Sequence, residues 1–253
     1  MSSPCSICGG VGLVRVMSDA GHWVSRACEC QQLEREERRL AATHIPERYR
    51  HCVLDSFETS LYNSHSSLGP ALMTARKFAD TYPTDTAGRG LLFVGSIGVG
   101  KTHLATGILQ RLVRERGVKG LFCDYRELLK KIQNSWNPQV STTELDLLQP
   151  VFQAEVLVLD DLGAQKLNEW SSDIVSLILN TRYNENLSTI VTTNYADLPP
   201  GGGDLTDAQR SAREPTLGDR IGERMRSRLA EMCVKVTMTG NDFRQSVKRA
   251  RFG

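Results

Sequence analysis

The chain has 253 residues, with 31 Lys and Arg against 29 Asp and Glu, a net charge of +2 at pH 7, and 40% hydrophobic residues. That length holds one sizeable α/β domain and a small appendage, and the composition is that of a soluble globular protein. The longest apolar runs, such as Val156–Leu159, are far too short to span a bilayer. Met1–Cys5 has no basic region followed by an apolar core, so it does not read as a secretory leader and the expected compartment is the cytoplasm. A charge near balance neither demands nor excludes nucleic acid.

In chain order, residues 1–30 read as a small knuckle. Val11–Val16 and His22–Ala27 alternate as strands around the turn-rich Ser18–Gly21. Four of the seven cysteines crowd here, as Cys5-x-x-Cys8 and Cys28-x-Cys30. Clustered cysteines in a cytosolic chain point to metal more than to disulfides. A tetrahedral four-thiolate zinc site would tie down a segment too small to hold its own core. His22 is a possible substitute ligand. A charged helix follows over residues 31–43, serving as connector or partner-facing element. The expected division is a zinc knuckle and connecting helix over 1–44, and a nucleotide-binding domain over 45–253.

Ile45–Phe57 reads as an irregular lead-in, and residues 69–82 as a helix carrying Ala71, Leu72, Ala75 and Phe78. From Leu91 the pattern changes to short aliphatic runs alternating with helices. Strands are expected at 91–94, 120–123, 156–159 and 188–193, with helices at 102–115, 126–135 and 170–186. Such alternation, with continuously apolar strands, argues for a parallel sheet covered on both faces. Pro199–Gly203 reads as a flexible loop.

Gly95-Ser96-Ile97-Gly98-Val99-Gly100-Lys101-Thr102 fits G-x-x-x-x-G-K-[ST] at every fixed position, between an apolar strand and an amphipathic helix. Glycines let the backbone curl so that N–H groups face phosphate oxygens, and the helix N-terminus favours an anion. Lys101 would place its charge on the β- and γ-phosphates of ATP, and the Thr102 hydroxyl would complete a Mg²⁺ shell. Val156–Leu159 ends in Asp160-Asp161, where a parallel strand delivers side chains to the ligand edge of its sheet. Asp160 suits the Mg²⁺ shell, and Asp161 suits orienting or deprotonating the attacking water. Asn194, in Thr192-Thr193-Asn194 after the next apolar strand, can reach the γ-phosphate or its water.

These residues resemble the AAA+ ATPases of the DnaC, DnaI and IstB group. The resemblance rests on Gly95–Ala105 with its GKTHLA extension, Asp160–Gly163, Thr192–Tyr195 and the lead-in Ile45–Tyr49. It covers about residues 45–245. The cysteine knuckle resembles that of phage and prophage DnaC-like proteins. The resemblance implies a P-loop fold without a separate lid domain, Mg-dependent ATP hydrolysis and a homo-oligomer. It also implies a replicative helicase as partner, or alternatively a transposase, with single-stranded DNA contacted by loops lining the oligomer. It adds His103 to the nucleotide-binding residues. It also gives the C-terminal arginines roles. Leu217–Met225 is similar to the family's arginine-finger helix, in which Arg220 or Arg224 would reach a neighbour's nucleotide from one shared helix face. Arg244, in Asn241-Asp242-Phe243-Arg244, resembles the arginine that senses nucleotide in cis.

Overall fold

The computed structural model describes residues 5–59, 67–203 and 214–243. Arg244 lies outside the described residues, as do Arg210, Arg213, Lys248, Arg249 and Arg251. At the N-terminus, β1 (Leu13–Met17) and β2 (Trp23–Ala27) pair antiparallel, with Met17 opposite Trp23 next to the turn. Helix α1 (Glu29–Ala41) leaves the hairpin with no buried residue of its own; only its Leu40 packs, partly buried, against the domain core. Two short 3-10 turns, Glu47–Tyr49 and Leu54–Ser56, make up the lead-in. Helix α2 (Leu68–Thr81) follows.

The domain is built on β3 (Gly90–Gly95), β4 (Gly120–Asp124), β5 (Val156–Asp160), β6 (Ser188–Thr193) and β7 (Cys233–Met238). All five are parallel, in the order β4-β5-β6-β3-β7. Side chains alternate across the sheet, as the two-residue strand period requires. Leu91, Phe93, Val156, Val158 and Ile190 face one core layer, shared with α2 and α3 (Lys101–Arg116). Leu92, Val94, Leu157, Leu159 and Val191 face the other. That second layer is closed by α4 (Tyr125–Ser135), α5 (Glu144–Gln153), α6 (Glu169–Asn184), α7 (Leu217–Ile221) and α8 (Glu223–Met232). On α3, Leu104, Ile108 and Leu109 are wholly buried. Each contributes about 1.5–3 kcal/mol of transfer free energy, which fixes the helix whose first turn carries Lys101 and Thr102.

Three elements depart from the sequence expectation. Helix α5 is not an expected element because only Leu148 and Val151 are buried on it and Pro150, a residue disfavoured in helix interiors, lies within its span. Its start is set by Thr143, whose Oγ1 accepts from Asp146 N at 3.2 Å while Thr143 N donates to Asp146 Oδ2 at 2.8 Å. Strand β7 carries Lys235 and Thr237 among its apolar residues, which suits an edge strand with one exposed face. The expected single helix over Leu217–Met225 is two helices, because Gly222 has φ 81° and ψ 157°. Arg220 therefore sits on α7 and Arg224 on α8, and they do not share a helix face.

Candidate nucleotide-binding site

Because every strand of the sheet is parallel, β3, β5 and β6 deliver their C-terminal residues to one edge. There the loop Gly95–Gly100 turns from β3 into α3. Gly98 has φ 81° and Gly100 has φ 99°, and both face crowded neighbours. A Cβ on Gly98 would come within 1.8 Å of Asp242 Oδ1, and one on Gly100 within 2.6 Å of Phe57 Cε2. Ser96 Oγ donates to Gly240 O at 3.4 Å and Phe243 N donates to Gly98 O at 3.1 Å, so the chain after β7 straps the outside of the loop. Ile97 is exposed and Val99 buried. The first-turn N–H groups of α3 have no partner within the helix and face this edge.

Lys101 is buried, and its Nζ donates to Gly95 O at 2.9 Å, Ser96 O at 2.7 Å and Asn194 Oδ1 at 2.7 Å. Asn194 in turn donates through Nδ2 to Asp161 Oδ1 at 2.6 Å. The strand order accounts for this chain of contacts: β6 lies between β3 and β5, so the residue following it stands between the lysine and the carboxylate.

A second set centres on Asp160, which is buried. Its Oδ1 accepts from Thr102 Oγ1 at 2.9 Å and from Thr192 Oγ1 at 2.6 Å. Burial pushes its carboxyl above the usual carboxylate range, against the two hydroxyl hydrogen bonds. A hydroxyl and a buried carboxylate side by side at a phosphate loop form a donor set suited to a hard divalent cation with oxygen ligands. Thr192 Oγ1 also accepts from Asp161 N at 2.9 Å, fixing that residue in a left-handed backbone conformation, φ 60°. Thr192 was legible only as part of the Thr192–Asn194 run; its bridging position depends on the pairing of β5 with β6.

His103 departs from its expected place. Its Nε2 lies 2.9 Å from Val53 O and 3.2 Å from Ser56 Oγ, and its ring meets Phe57 edge-on. The side chain therefore anchors the lead-in to α3, and only its backbone N–H remains at the phosphate edge. Arg220 is engaged within its own chain. Nε donates to Gly163 O at 2.6 Å, Nη2 donates to Ala164 O at 2.9 Å, and the guanidinium lies 4.7 Å from the Tyr195 ring centre. Arg224 is exposed and has no partner among the described residues. One further residue, which the sequence reading did not single out, touches the site: Arg126 Nη2 lies 3.5 Å from Asp161 Oδ2.

The four knuckle cysteines converge as expected. Their sulfurs all lie within 4.8 Å of one another, with Cys5 to Cys28 at 3.8 Å and Cys8 to Cys30 at 3.5 Å. Gly12 N donates to Cys8 Sγ at 3.2 Å, which holds that thiol down at about 6, while hydrogen bonds with Cys8 and Cys28 push Cys30 up to about 12. Four thiolates cannot share this volume without a cation, and four convergent sulfurs fit tetrahedral zinc. His22 sits at the opposite, turn end of the hairpin, where its N donates to Ser18 Oγ, and it is not part of the cluster.

Among the described residues, no helix is long and apolar enough to cross a membrane. Residues 32–250 match the family described as IstB-like ATP binding protein. The replicative helicase loader DnaC of Buchnera aphidicola subsp. Acyrthosiphon pisum is 24% identical over 212 residues, covering 84% of this chain and 77% of that one. The replicative helicase loader DnaI of Bacillus subtilis is 27% identical over 149 residues, covering 58% of this chain and 46% of that one. A crystal structure of the DnaC helicase loader superposes with a TM-score of 0.61 at 34% identity, covering 76% of this chain and 99% of that one. The chain belongs to the IstB-like ATP binding protein family, the DnaC/DnaI/IstB-like group of AAA+ proteins.

Proposed function

We propose that this chain binds ATP with Mg²⁺ at the C-terminal edge of its sheet, hydrolyses the ATP, and uses that cycle to load a replicative helicase. The observation that carries the reading is the continuous contact from Lys101 through Asn194 to Asp161, beside the Thr102–Asp160 pair. A phosphate-binding lysine, a polar γ-phosphate contact and a carboxylate for water stand in one line, and a second carboxylate stands ready for the cation. In this reading Gly95–Thr102 cradle the phosphates with backbone N–H groups and Lys101. Thr102 and Asp160 hold the cation, which when bound offsets phosphate charge. Asp161 orients the attacking water, and Asn194 aligns it against the γ-phosphate.

Arg220 is tied to the loop after Asp161, so it acts in cis by holding that loop. Arg224 then supplies the charge that reaches a neighbouring copy's nucleotide, which makes the working form a homo-oligomer. Arg244 would contact nucleotide in cis. The helicase is favoured as partner because the relatives reported above carry helicase-loader names; a transposase would be served by the same chemistry. Residues 1–44, with zinc on Cys5, Cys8, Cys28 and Cys30, recruit the partner, and residues 45–253 do the chemistry in the cytoplasm on single-stranded DNA.

The test is ATP-dependent delivery of the host's replicative helicase to protein-coated single-stranded DNA, read by strand displacement. The wild-type chain is expected to start unwinding, and Asp161→Asn to bind helicase without completing delivery. A full-length chain that forms no complex with the helicase overturns the assignment.

A further inference from the structure

Residues 194–199, which follow β6, touch the nucleotide edge at one end and the two arginine-bearing helices at the other. Asn194 stands between Lys101 Nζ and Asp161 Oδ1. Further along, Ala196 O accepts from Leu217 N at 2.8 Å, Leu198 O accepts from Gly218 N at 3.1 Å and Pro199 O accepts from Thr216 Oγ1 at 3.0 Å. The start of α7 is thus hung on this segment, with no room for a side chain between them: a Cβ on Gly218 would come within 2.7 Å of Leu198 O.

Helix α8 is held by one carboxylate of the same segment. Asp197, its side chain only 12% exposed, accepts from Arg226 Nη1 at 3.1 Å and from Lys235 Nζ at 3.0 Å. Arg226 also donates to Glu223, through Nε at 2.9 Å and Nη2 at 2.7 Å. A guanidinium that forks between two carboxylates orients both. Glu223 directly precedes Arg224, so the fork sets the first turn of α8, from which the exposed Arg224 projects. Gly222, with φ 81° and ψ 157°, breaks the helix before that turn, so α7 does not set it by helical continuity.

Lys235 brings a second line to the same carboxylate. It lies on β7, and the chain leaving β7 straps the phosphate loop, Ser96 Oγ donating to Gly240 O and Phe243 N donating to Gly98 O. Asp197 is therefore joined to its own copy's phosphate loop twice, through Asn194 and Lys101 and through β7 and its strap. Phosphate arriving at the loop engages the ammonium that Asn194 holds and enters the turn to which the strap is fastened. Contiguous hydrogen bonds between packed elements are a physical means by which occupancy of one site biases another.

We propose that Asp197 is a relay between copies. It converts nucleotide occupancy of its own copy's phosphate loop into the placement of Arg224 toward the neighbour's nucleotide. Asp197 is a positioning residue: it touches no reacting atom and acts through Arg226 and Glu223 on the neighbour's turnover. The inference rests on the reading of Arg224 as the charge supplied in trans.

The experiment places one substitution in either of two kinds of copy. Donor copies carry Asp161→Asn and keep Arg224; receiver copies carry Arg224→Ala and keep Asp161. Their mixture turns over ATP at receiver sites that face donor arginines, and light scattering on the same samples follows the assembled mass. Adding Asp197→Asn to the donor is expected to lower this turnover by about tenfold, the size of an ordinary coupling between sites, in kcat and with the KM for ATP unchanged. Adding it to the receiver is expected to leave turnover close to that of the unmodified mixture. Asn194→Ala added to the donor, whose own site is already silent, is expected to lower the receiver's turnover several-fold. Arg226→Gln, which leaves Asp197 paired with Lys235, repeats the donor and receiver comparison in a second variant and should show the same donor-only loss. The relay is overturned if these substitutions lower turnover equally from donor and receiver, if neither placement lowers it, or if Asn194→Ala donors support full turnover. The underlying reading fails separately: no turnover in the unmodified mixture removes Arg224 from the trans role itself.

Discussion

Lys101 Nζ and Asn194 Oδ1 meet at 2.7 Å, joining the phosphate loop to the end of a strand 93 positions away. With Gly95 O and Ser96 O, Asn194 gives the ammonium three neutral oxygen partners in a buried setting. The ammonium is therefore held in place before nucleotide arrives, and phosphate adds formal negative charge. In thermal melts, ATP-Mg²⁺ at a hundredfold excess over its Kd should stabilise the wild type by about 2.7 kcal/mol. Lys101→Ala should melt within a few degrees of the unliganded wild type and gain nothing from ATP. Equal stabilisation of both proteins would remove Lys101 from the phosphate site.

In the proposed reading, Asp161 and Asn194 serve chemistry more than binding. Asp161 makes no phosphate contact in that reading, so nucleotide affinity should survive Asp161→Asn within a few-fold, and Asn194→Ala, which also frees Lys101 Nζ of one partner, should cost affinity less than it costs rate. Asp161→Asn should lower the single-turnover hydrolysis rate by about 10²–10⁴-fold, the range for loss of a positioned acid–base group. Asn194→Ala should lower it by about 10²-fold, as for one charge-stabilising donor. A change in affinity with an unchanged rate would place both residues on the wrong side of that division.

The hairpin β1–β2 exposes Leu13, Met17 and Trp23, and every residue of β2 is exposed. Two strands without a covered face do not hold together in water, so the cysteine cluster is what orders them. One zinc per chain is expected by metal analysis, and Cys8→Ser should abolish it. Chelation should erase the near-ultraviolet dichroism of Trp23 while leaving ATP binding at Lys101 intact. Zinc content well below one per chain in protein purified without chelators would contradict this.

What was legible in the sequence is what is local. The phosphate loop, Asp160-Asp161 and the paired cysteines are short runs whose spacing already fixes their geometry, and the apolar runs Leu91–Val94, Val156–Leu159 and Ile190-Val191 mark β3, β5 and β6 because helices cover both faces. What was not legible depends on strand order or on one backbone angle. Arg126 meets Asp161 only because β4 lies beside β5, and Thr192 bridges the two aspartates only because β6 lies on the other side of β5. His103 reads as a phosphate-loop residue until the lead-in folds over it. Gly222 moves Arg220 and Arg224 onto separate helices.

Asp197 gives a pH test of how α8 is fastened to the site edge. It lies three residues beyond Asn194 and accepts from Arg226 Nη1 at 3.1 Å and Lys235 Nζ at 3.0 Å. Burial raises its carboxyl, but the hydrogen bonds from Lys235 and Arg226 outweigh burial, and the net shift is downward. A carboxyl depressed in the folded state contributes stability above its unfolded value, about 3.9, and that contribution fades as pH falls through the folded value. Asp197→Asn should cost about 1–3 kcal/mol at neutral pH. In denaturant titrations the gap between the two proteins should stay constant above about pH 5 and close below about pH 4. A gap independent of pH would mean that the pair does not fasten α8.

The separation of Arg220 from Arg224 turns an ambiguous pair into a mixing experiment. Arg220 donates to Gly163 O and Ala164 O of its own chain, so its loss disturbs the same copy's Asp161 loop. Arg224 is exposed on α8, with Arg228 one turn further along. Both Arg220→Ala and Arg224→Ala should lower turnover, by about 10³-fold or more for a charge supplied in trans. Mixed with Asp161→Asn copies, Arg224→Ala copies regain turnover, because an intact Asp161 then faces a neighbour's intact Arg224. Arg220→Ala copies do not, since no copy in that mixture holds an intact Asp161 and its supporting arginine together. Rescue of Arg220→Ala in the mixture would reverse the two roles. If Arg224→Ala is silent and Arg228→Ala is rescued, the trans charge lies one turn along α8.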